Sequence, residues 1–209
     1  MSFANDEMVE NLCFISLGSD CSVSYQLRKL GLQTHGSMPF DWMRIDNLLS
    51  VISILKDEFR DFARFESYII KQQSLAFDYF GTSGASGAGS ASQKSECRMV
   101  HSRYKFILPH EYQGTQIDPT NFAEKYSRRI ARFLEIGRNE KIRKIFVRLG
   151  TKKEETYSTN LHNALDSLGI VNYTIKYIIY NEWDELIPQG VPFQWQRDYM
   201  PWKEILMAH

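Results

Sequence analysis

The run Leu12-Cys-Phe-Ile-Ser-Leu17 is short, apolar and ended by Gly18-Ser19-Asp20, and Val23, Leu27 and Leu30 then follow at i, i+4 and i+7 until Gly31. A run of this length bounded by turn residues reads as a buried strand. The spacing after it predicts one helical face from Cys21 to Leu30, with Gly31 as the C-cap. Strand, tight turn and helix thus fit into about twenty residues, which commits the opening of the chain to a strand feeding directly into a helix N-terminus.

The rest of the chain repeats that alternation. Leu48, Leu49, Ile52 and Leu55 make a second helical stripe, and the aromatic-rich stretch 59–80 reads as helical in part. Arg98–Leu108 alternates with the period of a half-exposed strand, placing His101 with Arg103 and Lys105 on its polar side. Asn121–Ile136 is the clearest helix, capped by Thr120 or Asn121. Lys144–Leu149 and Tyr173–Tyr180 are predicted strands, separated by a Ser158–Leu168 helix that Gly169 ends, and Trp202–Met207 closes the chain as a short helix. The order predicts an α/β single-domain sandwich over residues 1–209 with a mixed or mainly parallel sheet. Residues 81–92 hold 4 of the 12 glycines and no side chain larger than Thr, the composition of a flexible linker inside that domain.

Composition narrows the class of protein. Over 209 residues, 43% are hydrophobic and 25 basic residues balance 25 acidic ones, which excludes global disorder and removes any argument for a wholesale electrostatic partner. Cys13, Cys21 and Cys97 are odd in number and in no metal-like spacing, so neither a disulfide framework nor a zinc site is expected. Nothing calls for a metal or another cofactor. Met1–Glu10 carries three acids and no basic n-region, and no apolar run approaches a membrane span. The expectation is a cytoplasmic, reducing location without membrane association. Oligomeric state stays open.

Cys21 is the residue best placed for chemistry, because a thiol at the first turn of a helix meets unpaired N–H groups and the positive end of the macrodipole. The turn before it, Gly18, Ser19 and Asp20, would shape an oxyanion site. A cysteine nucleophile needs an imidazole within reach. Of the five histidines, His209 is terminal, His162 starts a helix, and His35 and His110 flank loops, so His101 on its strand is the candidate base. Asp41, between Phe40 and Trp42, either orients a histidine or caps the following helix, and Asn181 is a weaker third member. Cys21 also has a plainer reading as a small hydrophobe between strand and helix.

Ile15-Ser-Leu-Gly-Ser-Asp-Cys-Ser-Val-Ser-Tyr-Gln-Leu-Arg28 with Met38-Pro-Phe-Asp-Trp42 resembles the opening signature of a family named for papain-like cysteine peptidases, found in bacteria, some eukaryotes and large DNA viruses. His101 with Tyr104, Tyr126-Ser-Arg-Arg129 with Phe133, and Phe146-Val-Arg148 extend the likeness from about residue 12 to about 180. The resemblance implies a cysteine-dependent hydrolase or acyl transferase acting on a protein or peptide, with Cys21 as nucleophile and the base at His101. A papain-like fold would be α+β, with the nucleophile helix on an antiparallel sheet, which stands as the alternative to the α/β pattern. A serine-esterase reading fails on the order Gly18-Ser19-Asp20.

A second class of function is binding. Between Lys125 and Lys153 eleven Lys or Arg residues face two acids. Such runs usually form a solvated face. Arg128, Arg129 and Arg132 are expected to diverge around one helix, so that only some meet a cleft; with Arg148 they are candidates for holding phosphate in a small ligand, RNA or a phosphorylated protein. No P-loop or RNA-recognition signature accompanies them.

Overall fold

A computed structural model describes residues 11–73, 96–111, 117–187 and 195–208. The predicted linker 81–92 lies outside the described residues.

Strand β1 (Leu12–Ser16) runs into helix α1 (Cys21–Lys29), followed by α2 (Leu48–Lys56). Strands β2 (Tyr68–Gln73), β3 (Glu96–His101) and β4 (Ile107–Leu108) come next, then helix α3 (Pro119–Arg138). Strand β5 (Arg143–Gly150), helix α4 (Ser158–Ser167), strand β6 (Tyr173–Ile179) and helix α5 (Trp202–Met207) complete the order. The main sheet is parallel throughout, in the order β1-β5-β6, and β2-β3-β4 form a separate antiparallel sheet.

The main sheet is buried on both faces, as the period of two along a strand allows. Cys13, Ile15 and Leu17 point to one side with Phe146, into a core shared with α2, α3, α4 and the antiparallel sheet. Phe14, Val147, Leu149 and Ile178 point to the other, against Val23 and Leu27 of α1 and Trp202 and Leu206 of α5. The fold is therefore a mixed α/β single domain with a parallel core. The strand before Cys21 pairs with β5 in parallel, so the α+β alternative, with the cysteine helix on an antiparallel sheet, is not the arrangement found.

Several boundaries move for local reasons. Asp118, rather than Thr120 or Asn121, caps α3: its carboxylate accepts the N–H groups of Thr120 and Asn121, and Pro119 occupies the first helical turn, where its missing N–H costs nothing. Residues 98–108 are not one strand but a hairpin. The chain turns after His101, with Lys105 at φ +60°, and returns as β4. Of the aromatic stretch, 65–67 is a short 3-10 turn and Tyr68 begins β2.

One buried pair holds the C-terminal end of the sheet together. Arg148 donates to both carboxylate oxygens of Glu154, at 2.9 and 2.8 Å, and to the carbonyls of Ile45 at 3.1 Å and Leu17 at 3.4 Å. Glu154 in turn accepts the first N–H of α2, from Leu48, at 2.9 Å. Arg148 thus carries no free donor face for phosphate: at 1% exposure it is a framework residue. That removes it from the binding candidates.

Candidate functional site

The turn from β1 to α1 is backbone-strained and tightly held. Gly18 sits at φ +76° and Ser19 at φ +122°, a conformation an L-residue adopts only when its surroundings over-determine it. The Ser16 hydroxyl accepts the Gly18 N–H at 3.1 Å, and the Ser19 carbonyl accepts the Ile45 N–H at 2.8 Å. Asp20 caps α1, its Oδ1 accepting the Ser22 N–H at 2.8 Å and the Ser22 hydroxyl. Its Oδ2 faces the buried guanidinium of Arg197 at 3.5 Å.

A three-strand relay then brings a distant segment to Cys21. Residues 44–45 are gripped from both sides: Ile45 by Ser19, and Arg44 by Ile107 through two backbone hydrogen bonds of 2.9 Å. This places β4 and the residues after it beside the α1 N-terminus. Two residues beyond β4, His110 arrives with Nε2 3.4 Å from Cys21 Sγ. Trp42, at φ +63°, packs edge-on against the same imidazole with ring centroids 6.3 Å apart. The histidine at Cys21 is therefore His110, not His101.

His101 is occupied elsewhere. Its ring is 0% exposed and lies among Tyr68, Tyr104 and Phe106. Its Nδ1 accepts the N–H groups of Arg103 and Tyr104 at 3.2 and 3.3 Å, and its Nε2 donates to the Asp61 carbonyl at 3.3 Å. The imidazole is the internal strut of the hairpin turn. Strand alternation put it on the polar side because it counted through residue 102, where the strand has already ended.

Asp41 neither orients a histidine nor caps a helix. Its carboxylate is 1% exposed and accepts from Met38 N at 2.7 Å, Gln33 Nε2 at 2.6 Å and Ser24 Oγ at 2.8 Å. Asn47 caps α2 instead. Asp41 ties the 33–42 loop to α1 and so fixes Trp42, which reaches His110. Burial raises its pKa, against the lowering effect of those donors. Asn181 is exposed in the 3-10 turn after β6.

The electrostatics at the pair run opposite to the sequence expectation for Cys21. Burial and the Asp20 carboxylate push the thiol from 9.0 up to about 12, with Arg98 pulling the other way. Partial burial lowers His110, the neighbouring Glu111 opposes this, and Arg98 and Lys125 add to it. At neutral pH the resting pair is a thiol beside a neutral imidazole. Arg98 of β3, buried and acting on both members, is a residue sequence reasoning passed over, as is Trp42. The signal for His110 was the short strand before it; only the bridge to Arg44 gives that strand its direction.

The basic residues of α3 converge rather than diverge. Arg128, Arg129 and Arg132 all line one groove of about 470 Å³ with Lys125, Gly36 and Ser37. At about 100° per residue, positions 128, 132, 125 and 129 fall within roughly one 100° arc, which the expectation of divergence overlooked.

A family described as "putative papain-like cysteine peptidase" matches residues 12–182. The chain belongs to this family. An uncharacterized protein of Acanthamoeba polyphaga mimivirus is 28% identical over 223 residues, covering 96% of this chain and 99% of the viral one. No solved structure matches. The family match spans Cys21, His110 and the α3 groove alike. Among the described residues, no helix is long and apolar enough to cross a membrane.

Proposed function

We propose that the protein is a cysteine-dependent hydrolase or acyl transferase in which Cys21 is the nucleophile and His110 the base. The observation that supports this most directly is the 3.4 Å approach of Sγ to Nε2 between residues 89 positions apart in the chain. Hydrogen-bond reach between nucleophile and base is the geometric requirement for such a pair.

The resting state is the neutral pair, with the imidazole proton on Nδ1 and Nε2 accepting from the thiol. As sulfur attacks a substrate carbonyl, the S–H proton passes to Nε2 and the carbonyl oxygen takes the negative charge. The start of α1 lies at the sulfur, and its dipole favours that oxyanion. Collapse of the intermediate expels the leaving group, which takes the proton from the imidazolium, and a thioester remains on Cys21. Water or a second nucleophile, deprotonated by Nε2, then attacks the thioester carbonyl; the C–S bond breaks, the acyl group leaves with the nucleophile, and the imidazolium returns its proton to the Cys21 sulfur. Generating the thiolate only as it is used suits a half-buried thiol whose pKa is raised by desolvation and by Asp20.

The test is an acyl-enzyme trap with p-nitrophenyl acetate followed by mass mapping. Acetyl mass on the Cys21 peptide of the wild type, and none in Cys21→Ser or His110→Ala, is the expected result. An unmodified Cys21 in the wild type, with the protein shown folded, would overturn the proposal.

A further inference from the structure

We propose that the α3 groove is the subsite for an anionic group, carboxylate or phosphate, carried by the acyl substrate; this rests on the Cys21–His110 reading above. Three observations place an anion there.

First, the three arginines of the groove have no ion-pair partner among the described residues. Lys125 is paired with Glu111 at 2.5 Å, and Glu124 is the one acid on the groove wall among the described residues. The Nη1 of Arg129 is buried and has no hydrogen-bond partner among the described residues, while its guanidinium lies over the Tyr126 ring at 5.2 Å. A desolvated, unmatched guanidinium nitrogen is unfavourable unless something supplies an acceptor. The fork geometry of guanidinium suits a carboxylate or phosphate.

Second, the opposite wall is cut to fit. Arg132 Nη1 donates to the Ser37 carbonyl at 2.6 Å, which fixes the guanidinium across the groove. Gly36, at φ +77°, leaves room: a Cβ there would come within 3.2 Å of that same Nη1. A volume of about 470 Å³ is enough for one side chain or headgroup.

Third, the groove adjoins the proposed site. Lys125 and the Tyr126 hydroxyl both hold Glu111, at 2.5 and 3.0 Å, and Glu111 follows His110 in the chain. On the other side, the positive charge of Arg129 acts on Asp41, whose neighbour Trp42 packs on the His110 ring. These contacts tie the groove to the segments that carry His110 and Trp42, and in the proposal the molecule whose anionic group the arginines hold also reaches Cys21.

Two measurements test this. Calorimetric titration with inorganic phosphate and with succinate at low salt should show binding of at least one. That binding should persist in Cys21→Ser and weaken roughly tenfold in each of Arg128→Gln and Arg129→Gln. Arg128 is exposed and has no ion pair among the described residues, so its variant is expected to fold whatever Arg129→Gln does. Absence of binding by both anions, or binding untouched by both substitutions, overturns the subsite. The second measurement compares acylation of Cys21 by p-nitrophenyl esters of acetylated dipeptides carrying Glu, phosphoserine or Gln. Faster acylation by the Glu or the phosphoserine ester names the source of the charge, and equal rates for all three overturn the proposal. Loss of the groove shows as missing discrimination on a Cys21 that still acylates, whereas failure of the Cys21–His110 reading shows as no acyl adduct with any ester.

Discussion

Arg148 and Glu154 form a two-point ion pair only 1% and 8% exposed at the side chains, sealed between the last turn of β5 and the start of α2. The pair connects the Leu17 and Ile45 carbonyls on either side of the strained Ser19, so it sets the geometry of the turn that presents Cys21.

Breaking it from one side strands a buried charge. Arg148→Met and Glu154→Leu are each expected to lower unfolding free energy by about 3–5 kcal/mol, and the double variant Arg148→Met/Glu154→Leu by distinctly less than their sum, because neither charge is then left unmatched. Gly150→Ala should resemble the single variants, since a Cβ there would collide with Glu154 Oε2. Urea titration of the four proteins checks this. Additive losses in the double variant would show that the pair is not coupled.

The two histidines should separate cleanly. His110 is exposed and meets only the Cys21 thiol and the edge of the Trp42 ring among the described residues, so His110→Ala is expected to change stability by no more than about 0.5 kcal/mol while abolishing acylation. His101→Ala removes a ring from the middle of an aromatic cluster and leaves two backbone N–H groups and a carbonyl without partners. A loss of about 3 kcal/mol is expected there. Thermal melts beside the acyl trap measure both, and the reverse pattern would return His101 to the candidate site.

The sequence carried the local part of this picture and missed the part that depends on register. The apolar run to Leu17, the turn at Gly18 and the stripe of Val23 and Leu27 encode β1 and α1 within one window, and the structure reproduces them. Cys21 is legible for that reason. His110 is not, because its position depends on Arg44 pairing with Ile107, a contact 63 residues apart with no periodic trace. The same holds for Arg148, whose basic character read as surface charge until Glu154 was seen to face it. Asp41 is legible as a site between two aromatics, but its partners are a backbone N–H, an amide and a hydroxyl rather than an imidazole or a helix end.

Acid should weaken the protein through its histidines. Burial lowers the pKa of both His101 and His110 from 6.5. The unfolded chain therefore binds protons at these rings before the folded one does, and stability present above pH 6.5 is lost as pH falls through and below that value. Urea midpoints at pH 7.5 and 5.5 are expected to drop on acidification, and the drop should shrink in His101→Gln, which cannot titrate. An unchanged drop in that variant would assign the acid sensitivity elsewhere.

At the alkaline end Asp20 and Cys21 are coupled. The thiol rises from 9.0 to about 12 through burial and the Asp20 charge, and Cys13 rises to about 11 through burial. Below pH 9 folded and unfolded thiols both keep their protons; above it the unfolded chain ionises first, so stability should decline from pH 9 towards 12. Asp20→Asn keeps an oxygen for the Ser22 N–H but removes the charge, including the carboxylate that faces Arg197 at 3.5 Å. Asp20→Asn/Arg197→Gln removes both charges of that contact together, so that the effect on the sulfur is read without a change in net charge. In that double variant the alkylation rate of Cys21 by iodoacetamide at pH 8 should rise several-fold over the wild type, and its pH–rate curve should shift to lower pH. A curve that stays in place would mean that burial alone holds the thiol protonated and that Asp20 serves α1 only as its cap.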